Sequence, residues 1–124
     1  MKRIVLEIEV DLEVQEALAA IFRDASAQPG ARMAVDADGS LIYLESVDEG
    51  LGFDETTLIS LAVSFAVGVG SGVVANAIYN SVGKAIRKIT VGGQRIRPSR
   101  QDLQNALDVL NEHIQQQSDD LSGE

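Results

Sequence analysis

Cysteine is absent from this chain, so disulfides, thiolate metal sites and cysteine nucleophiles are excluded together. Histidine is nearly so. His113 stands alone beside Glu112 near the C-terminus, which rules out a two-histidine metal site, and its position reads as a solvated surface. Aromatic residues are also scarce: Phe22, Tyr43, Phe53, Phe65 and Tyr79 are too few for a base-stacking surface. Lysine and arginine total 10 against 19 acids, a net charge of −9. Nucleic-acid binding is therefore not expected, because phosphate neutralisation needs clustered cations on an accessible face. A basic protein is the more natural partner. The adjacent acids Asp48-Glu49, Asp54-Glu55 and Asp119-Asp120 read as a loop, a helix start and tail solvation. No enzyme activity, cofactor or metal site is expected.

What is present fits one domain. A chain of 124 residues, 45% hydrophobic and 23% charged, can bury a modest core and is too apolar for disorder. The expected domain covers residues 1–114, and the polar acidic stretch 115–124 is expected to fray. The start, Met1-Lys2-Arg3-Ile4-Val5-Leu6-Glu7, has the basic opening of a secretory signal. Glu7, Glu9 and Asp11 then interrupt the apolar region such a signal needs, so a cytoplasmic location is the expectation and membrane association the alternative.

Ile4, Leu6, Ile8 and Val10 alternate with Arg3, Val5, Glu7 and Glu9, the period of a strand with one buried face. Asp11 resembles an N-cap, with Leu12, Leu18, Ile21, Phe22 and Ala25 at helical spacing as far as Gln28-Pro29-Gly30. Two stretches, 32–35 and 41–47, flank Asp38-Gly39, a dipeptide that readily supplies the positive φ angles of a tight hairpin. Asp36, Asp38, Gly39, Leu41 and Glu45 also fall on calcium-loop spacing. Ala34 occupies the first ligand position, however, and Pro29-Gly30 breaks the incoming helix, so a hairpin turn is the reading.

Residues 56–83 carry no charge. Within them, Ile59, Leu61, Val63, Phe65, Val67 and Val69 alternate with small residues as in a strand, and Gly68, Gly70 and Gly72 follow. A strand running into glycines and a helix suggests a phosphate cradle. That cradle is not expected here: Val73 stands where the third glycine of G-x-G-x-x-G belongs, and no carboxylate lies between Glu55 and Asp102 to hold a ribose. The acids at one flank, the cations Lys84, Arg87 and Lys88 at the other, and the length together favour a long helix. In that helix Ser64, Gly68 and Gly72 would form a row of small residues allowing close helix packing. Two placements then arise: burial in a soluble domain, or a membrane span or hairpin over 58–79 with the basic residues as its anchor.

Beyond it, 89–97 reads as a short strand or small hairpin around Gly92-Gly93. Ser99 with Asp102 resembles a capping box, and Leu103, Ala106, Leu107, Leu110 and Ile114 form the apolar stripe of a last helix. Lys84, Arg87, Lys88, Arg95, Arg97 and Arg100 make a basic patch in an otherwise acidic chain, with self-pairing to the acidic half as the plain reading. Arg95, Arg97 and Arg100 are the candidate partner-binding residues.

The sum is an α+β fold: a small mixed or antiparallel sheet in the order β-α-β-β-α-β-α, packed on a long glycine-rich helix and a C-terminal amphipathic helix. This layout, with Gly68-Val69-Gly70-Ser71-Gly72 leading to Lys88 and then Ile89-Thr90-Val91-Gly92-Gly93-Gln94-Arg95-Ile96, resembles the effector-associated constant component proteins of bacterial conflict systems. The resemblance implies a small non-catalytic accessory protein and assigns no residue a role. An adaptor or toxin-neutralising inhibitor with a protein partner, such as a basic toxin or effector, is the expected function, with homo-oligomerisation through the small-residue row a further expectation. A membrane-inserting component is the alternative.

Overall fold

The N-terminal alternation becomes β1, Ile4–Val10, with Ile4, Leu6, Ile8 and Val10 buried and Val5 and Glu7 exposed. The computed structural model describes residues 3–35, 40–49, 56–65 and 72–122, with side chains as far as Glu112. After β1 come α1 (Val14–Phe22), β2 (Arg32–Ala34), β3 (Leu41–Glu49), β4 (Thr57–Ser64) and α2 (Gly72–Val82). A 3₁₀ turn at Gly83–Ala85 leads to β5 (Ile86–Val91), β6 (Gln94–Ile96) and α3 (Arg100–Ser122). The strands form one sheet in the order β2-β3-β4-β1-β5-β6, and every neighbouring pair is antiparallel. The fold is thus α+β, as expected.

Register explains the core. Leu44, Leu61, Leu6 and Val91 lie in one row across β3, β4, β1 and β5, and Val47, Ile59, Ile8 and Ile89 lie in the next. Against these rows pack Leu18 and Ile21 of α1, Val74 and Ile78 of α2, and Leu103 and Leu107 of α3. Each large aliphatic side chain so buried contributes about 1.5–3 kcal/mol. Along β1 and through Ser60 of β4, the alternate side chains are less buried than their inward neighbours, so the helical layer sits on one face of the sheet.

The long glycine-rich helix does not exist. Residues 57–64 are β4, held between β3 and β1, and the following helix begins only at Gly72; residues 66–71, including Gly68, lie outside the described residues. Ser64 and Gly72 therefore belong to different elements, and no single helix face carries the row of small residues. Gly72 instead meets α3, where a Cβ would sit 3.3 Å from Gln104 Nε2. The expected helical span over 58–79 is replaced by a strand and an 11-residue helix. No helix among the described residues is long and apolar enough to cross a membrane.

Other local signals fared differently. Asp11 does not cap α1: Glu13 is the N-cap residue, the helix ends at Arg23 in the left-handed region (φ 59), and the Asp11 carboxylate pairs with Arg87 at 3.4 Å. Thr57 Oγ1 donates to Leu12 O at 2.6 Å and ties the approach to α1 onto β4. The first hairpin is present, with Ala34 opposite Leu41, while its Asp38-Gly39 turn lies outside the described residues. The second hairpin turns at Gly92 and Gly93, both at positive φ (56 and 86). Ser99 caps α3, accepting from Asp102 N–H at 3.1 Å and donating to Asp102 Oδ2 at 2.8 Å. The helix then runs on to Ser122, past the end expected from its apolar stripe.

Leu58 and Leu61 separate the strand from the helix experimentally. On a helix they would share a face, whereas on β4 Leu61 is fully buried and Leu58 is 39% exposed. Leu61→Ala should destabilise by about 2–5 kcal/mol in chemical denaturation and Leu58→Ala by no more than about 0.5 kcal/mol.

Candidate interaction surface

The face of the sheet opposite the helices is built from residues that the sequence alternates outward. Three transverse rows follow from the register. Tyr43, Ala62 and Val5 form one; Ser46, Ser60, Glu7, Thr90 and Arg95 form the second; Asp48, Leu58, Glu9 and Lys88 form the third. Among the described residues no helix covers these rows. Two large apolar side chains, Val5 (47% exposed) and Leu58 (39%), stand among carboxylates there. Ala62 is nevertheless buried, flanked by its cross-strand neighbours Tyr43 and Val5. The Arg3 guanidinium lies 3.9 Å from the Tyr43 ring centroid and 3.8 Å from Glu45 Oε1.

The basic patch divides in two. Arg87 pairs with Asp11, and Lys88 Nζ lies 3.6 Å from Glu9 Oε2, so these two cations meet the acidic first half of the chain as self-pairing requires. Such half-exposed pairs stabilise by at most about 1 kcal/mol each, so they sort charge more than they hold the fold. Arg95, on β6, Arg97, just after it, and Arg100, first in α3, are all exposed. No ion pair links these three to a carboxylate among the described residues.

No group of three histidine, aspartate or glutamate side chains converges among the described residues. A groove of about 320 Å³ between α1, β2 and α2 is lined by Phe22, Arg23, Met33, Val35 and Asn80, with Ser81, whose hydroxyl already donates to Ala77 O at 2.8 Å. Tyr79 on α2 holds its hydroxyl shut off from solvent without a hydrogen-bond partner among the described residues. Burial, and secondarily the charge of Asp102, raises its pKa above the ordinary 10.0. The phenol is thus kept neutral.

Val5 and Leu58 were not singled out by sequence reasoning, although the alternation in 3–10 places Val5 and the period-two pattern in 59–70, extended by one residue, places Leu58. Of the six residues that were, Arg95, Arg97 and Arg100 share one end of the molecule, Ser64 closes β4, Gly72 opens α2, and Gly68 lies outside the described residues. Compared with known proteins, the chain matches no family model, no curated protein and no solved structure.

Tyr79→Phe removes a buried hydroxyl that makes no bond, so neutral-pH stability should hold or rise by up to about 1 kcal/mol. A raised folded-state pKa favours the folded chain below the unfolded value and disfavours it as pH rises toward the folded one. The wild-type melting temperature should accordingly fall more steeply above pH 10.0 than that of the variant, measured by thermal denaturation across alkaline pH.

Proposed function

We propose that this chain is a non-enzymatic interaction protein, an adaptor or toxin-neutralising inhibitor of a bacterial conflict system, that meets a protein partner with the uncovered face of its sheet. One observation carries the reading: the helices lie on one side only, while Val5 and Leu58 stay exposed on the other among Glu7, Glu9 and Asp48. Val5 and Leu58 are two separate apolar anchors with the polar row of Ser46, Ser60 and Glu7 between them, and in a protein interface such anchors supply affinity while charge supplies orientation and on-rate. Acidic side chains next to those anchors, together with a net charge of −9, favour a basic partner such as a nuclease-like toxin. The resemblance to accessory components of conflict systems points to the same class of role.

The test is affinity capture with wild-type and Leu58→Asp baits from the source cell extract, followed by direct binding of the purified captured protein. A partner that binds wild type, is lost at least about tenfold on Leu58→Asp, and weakens with added salt agrees with the reading. Binding indifferent to Leu58→Asp and to Val5→Asp would remove the open face from the function.

A further inference from the structure

We infer that the free edge of β6 is a second binding site, one that takes an extended acidic segment of a partner protein as an added antiparallel strand. The sheet order leaves β6 with a neighbour on one side only. The two-residue turn at Gly92 and Gly93, both at positive φ, makes Val91 and Gln94 its closing hydrogen-bonded pair. The next pair, Thr90 with Arg95, is then the non-bonded kind, so the Arg95 N–H and C=O point away from β5. Gly92 fixes the same parity independently, since its N–H donates to Val5 O at 2.9 Å and residues 90 and 92 therefore address β1. Arg95 thus offers a donor and an acceptor at the open edge, with its side chain on the uncovered face of the sheet beside Thr90.

Charge selects the guest. In a chain of net charge −9, Arg95, Arg97 and Arg100 are exposed and meet no carboxylate among the described residues, whereas Arg3, Arg87 and Lys88 each do. Arg100 also opens α3, where its charge adds to the positive end of the helix dipole rather than offsetting it. Edge strands are commonly guarded against aggregation by lysine, yet all three cations here are arginines, whose planar forks match carboxylates in bidentate fashion. Nucleic acid is the poorer fit: no phenylalanine, tyrosine or tryptophan occurs from 80 to 124, and the net charge repels a long polyanion. An added strand would place a carboxylate directly opposite Arg95 on the same face, with its own N–H and C=O turned toward β6. A glutamate at every second position therefore suits this edge.

The probe is a fluorescein-labelled, end-blocked peptide of alternating glutamate with valine or threonine, titrated by anisotropy against the full chain. Saturable binding is expected, weakened about tenfold or more by Arg95→Glu and by high salt. Lys84→Glu, an equal change of net charge at an exposed residue off the edge, should alter affinity by no more than about twofold. N-methylation of the glutamates should abolish binding, and N-methylation of the intervening residues should leave it. Circular dichroism and melting temperature check that each variant folds. Absence of peptide binding to wild type, equal loss with Lys84→Glu and Arg95→Glu, indifference to glutamate N-methylation, or tighter binding of a single-stranded oligonucleotide of equal charge would each overturn the assignment. Leu58→Asp should leave peptide binding intact, so failure at this edge and failure of the open-face reading are separate results.

Discussion

The central position of β4 is the constraint on which the rest depends. Thr57–Ser64 is bonded along one side by β1 and along the other by β3, so its backbone groups are satisfied without solvent and its inward side chains, Ile59, Leu61 and Val63, anchor the middle of the core. A charge at those positions would lack a partner there. The absence of charge at Ile59, Leu61 and Val63 is thus a requirement of burial in the sheet. Without β4, the β2–β3 hairpin would separate from β1, β5 and β6.

With the helices on one side of the sheet, the other side is left to the outward residues, and its charges are sorted by register. Glu9 meets Lys88 and Asp11 meets Arg87, which anchors the start of β5 to the end of β1. Those contacts neutralise the cations nearest the centre. Leu58 and Val5 remain exposed, and Arg95, Arg97 and Arg100, which meet no carboxylate among the described residues, are gathered at the β6 edge and the start of α3. The molecule therefore has two surfaces of different chemistry, a face with apolar and acidic side chains and a basic edge, and the proposed adaptor role would use both.

Much of this was legible wherever the signal was local. The alternation in 3–10, the two hairpins and the Ser99–Asp102 cap all depend on neighbours within a few residues. The uncharged segment misled because its outward strand positions, Ser60, Ala62 and Ser64, are small and uncharged, so the contrast that usually marks a strand was muted. Its flanks misled for a different reason. Arg87 and Lys88 looked like the basic end of a helix, but they are strand residues whose partners, Asp11 and Glu9, lie far away in the chain and are found only through the β1–β5 pairing. Asp11 was misread as a cap for the same reason. Val5 already fell on the outward phase of the 3–10 alternation, whereas Leu58 could be recognised as a surface residue only once 57–64 was known to be a strand.

The most direct measurement is methyl NMR of the free protein with a soluble paramagnetic relaxation agent. Open-face exposure predicts strong broadening of the Val5 and Leu58 methyls, while those of Leu6 and Leu61, one or three residues away in the chain, stay sharp. Equal protection of Leu58 and Leu61 would contradict the account, because the uncovered face and the strand that creates it would both be lost.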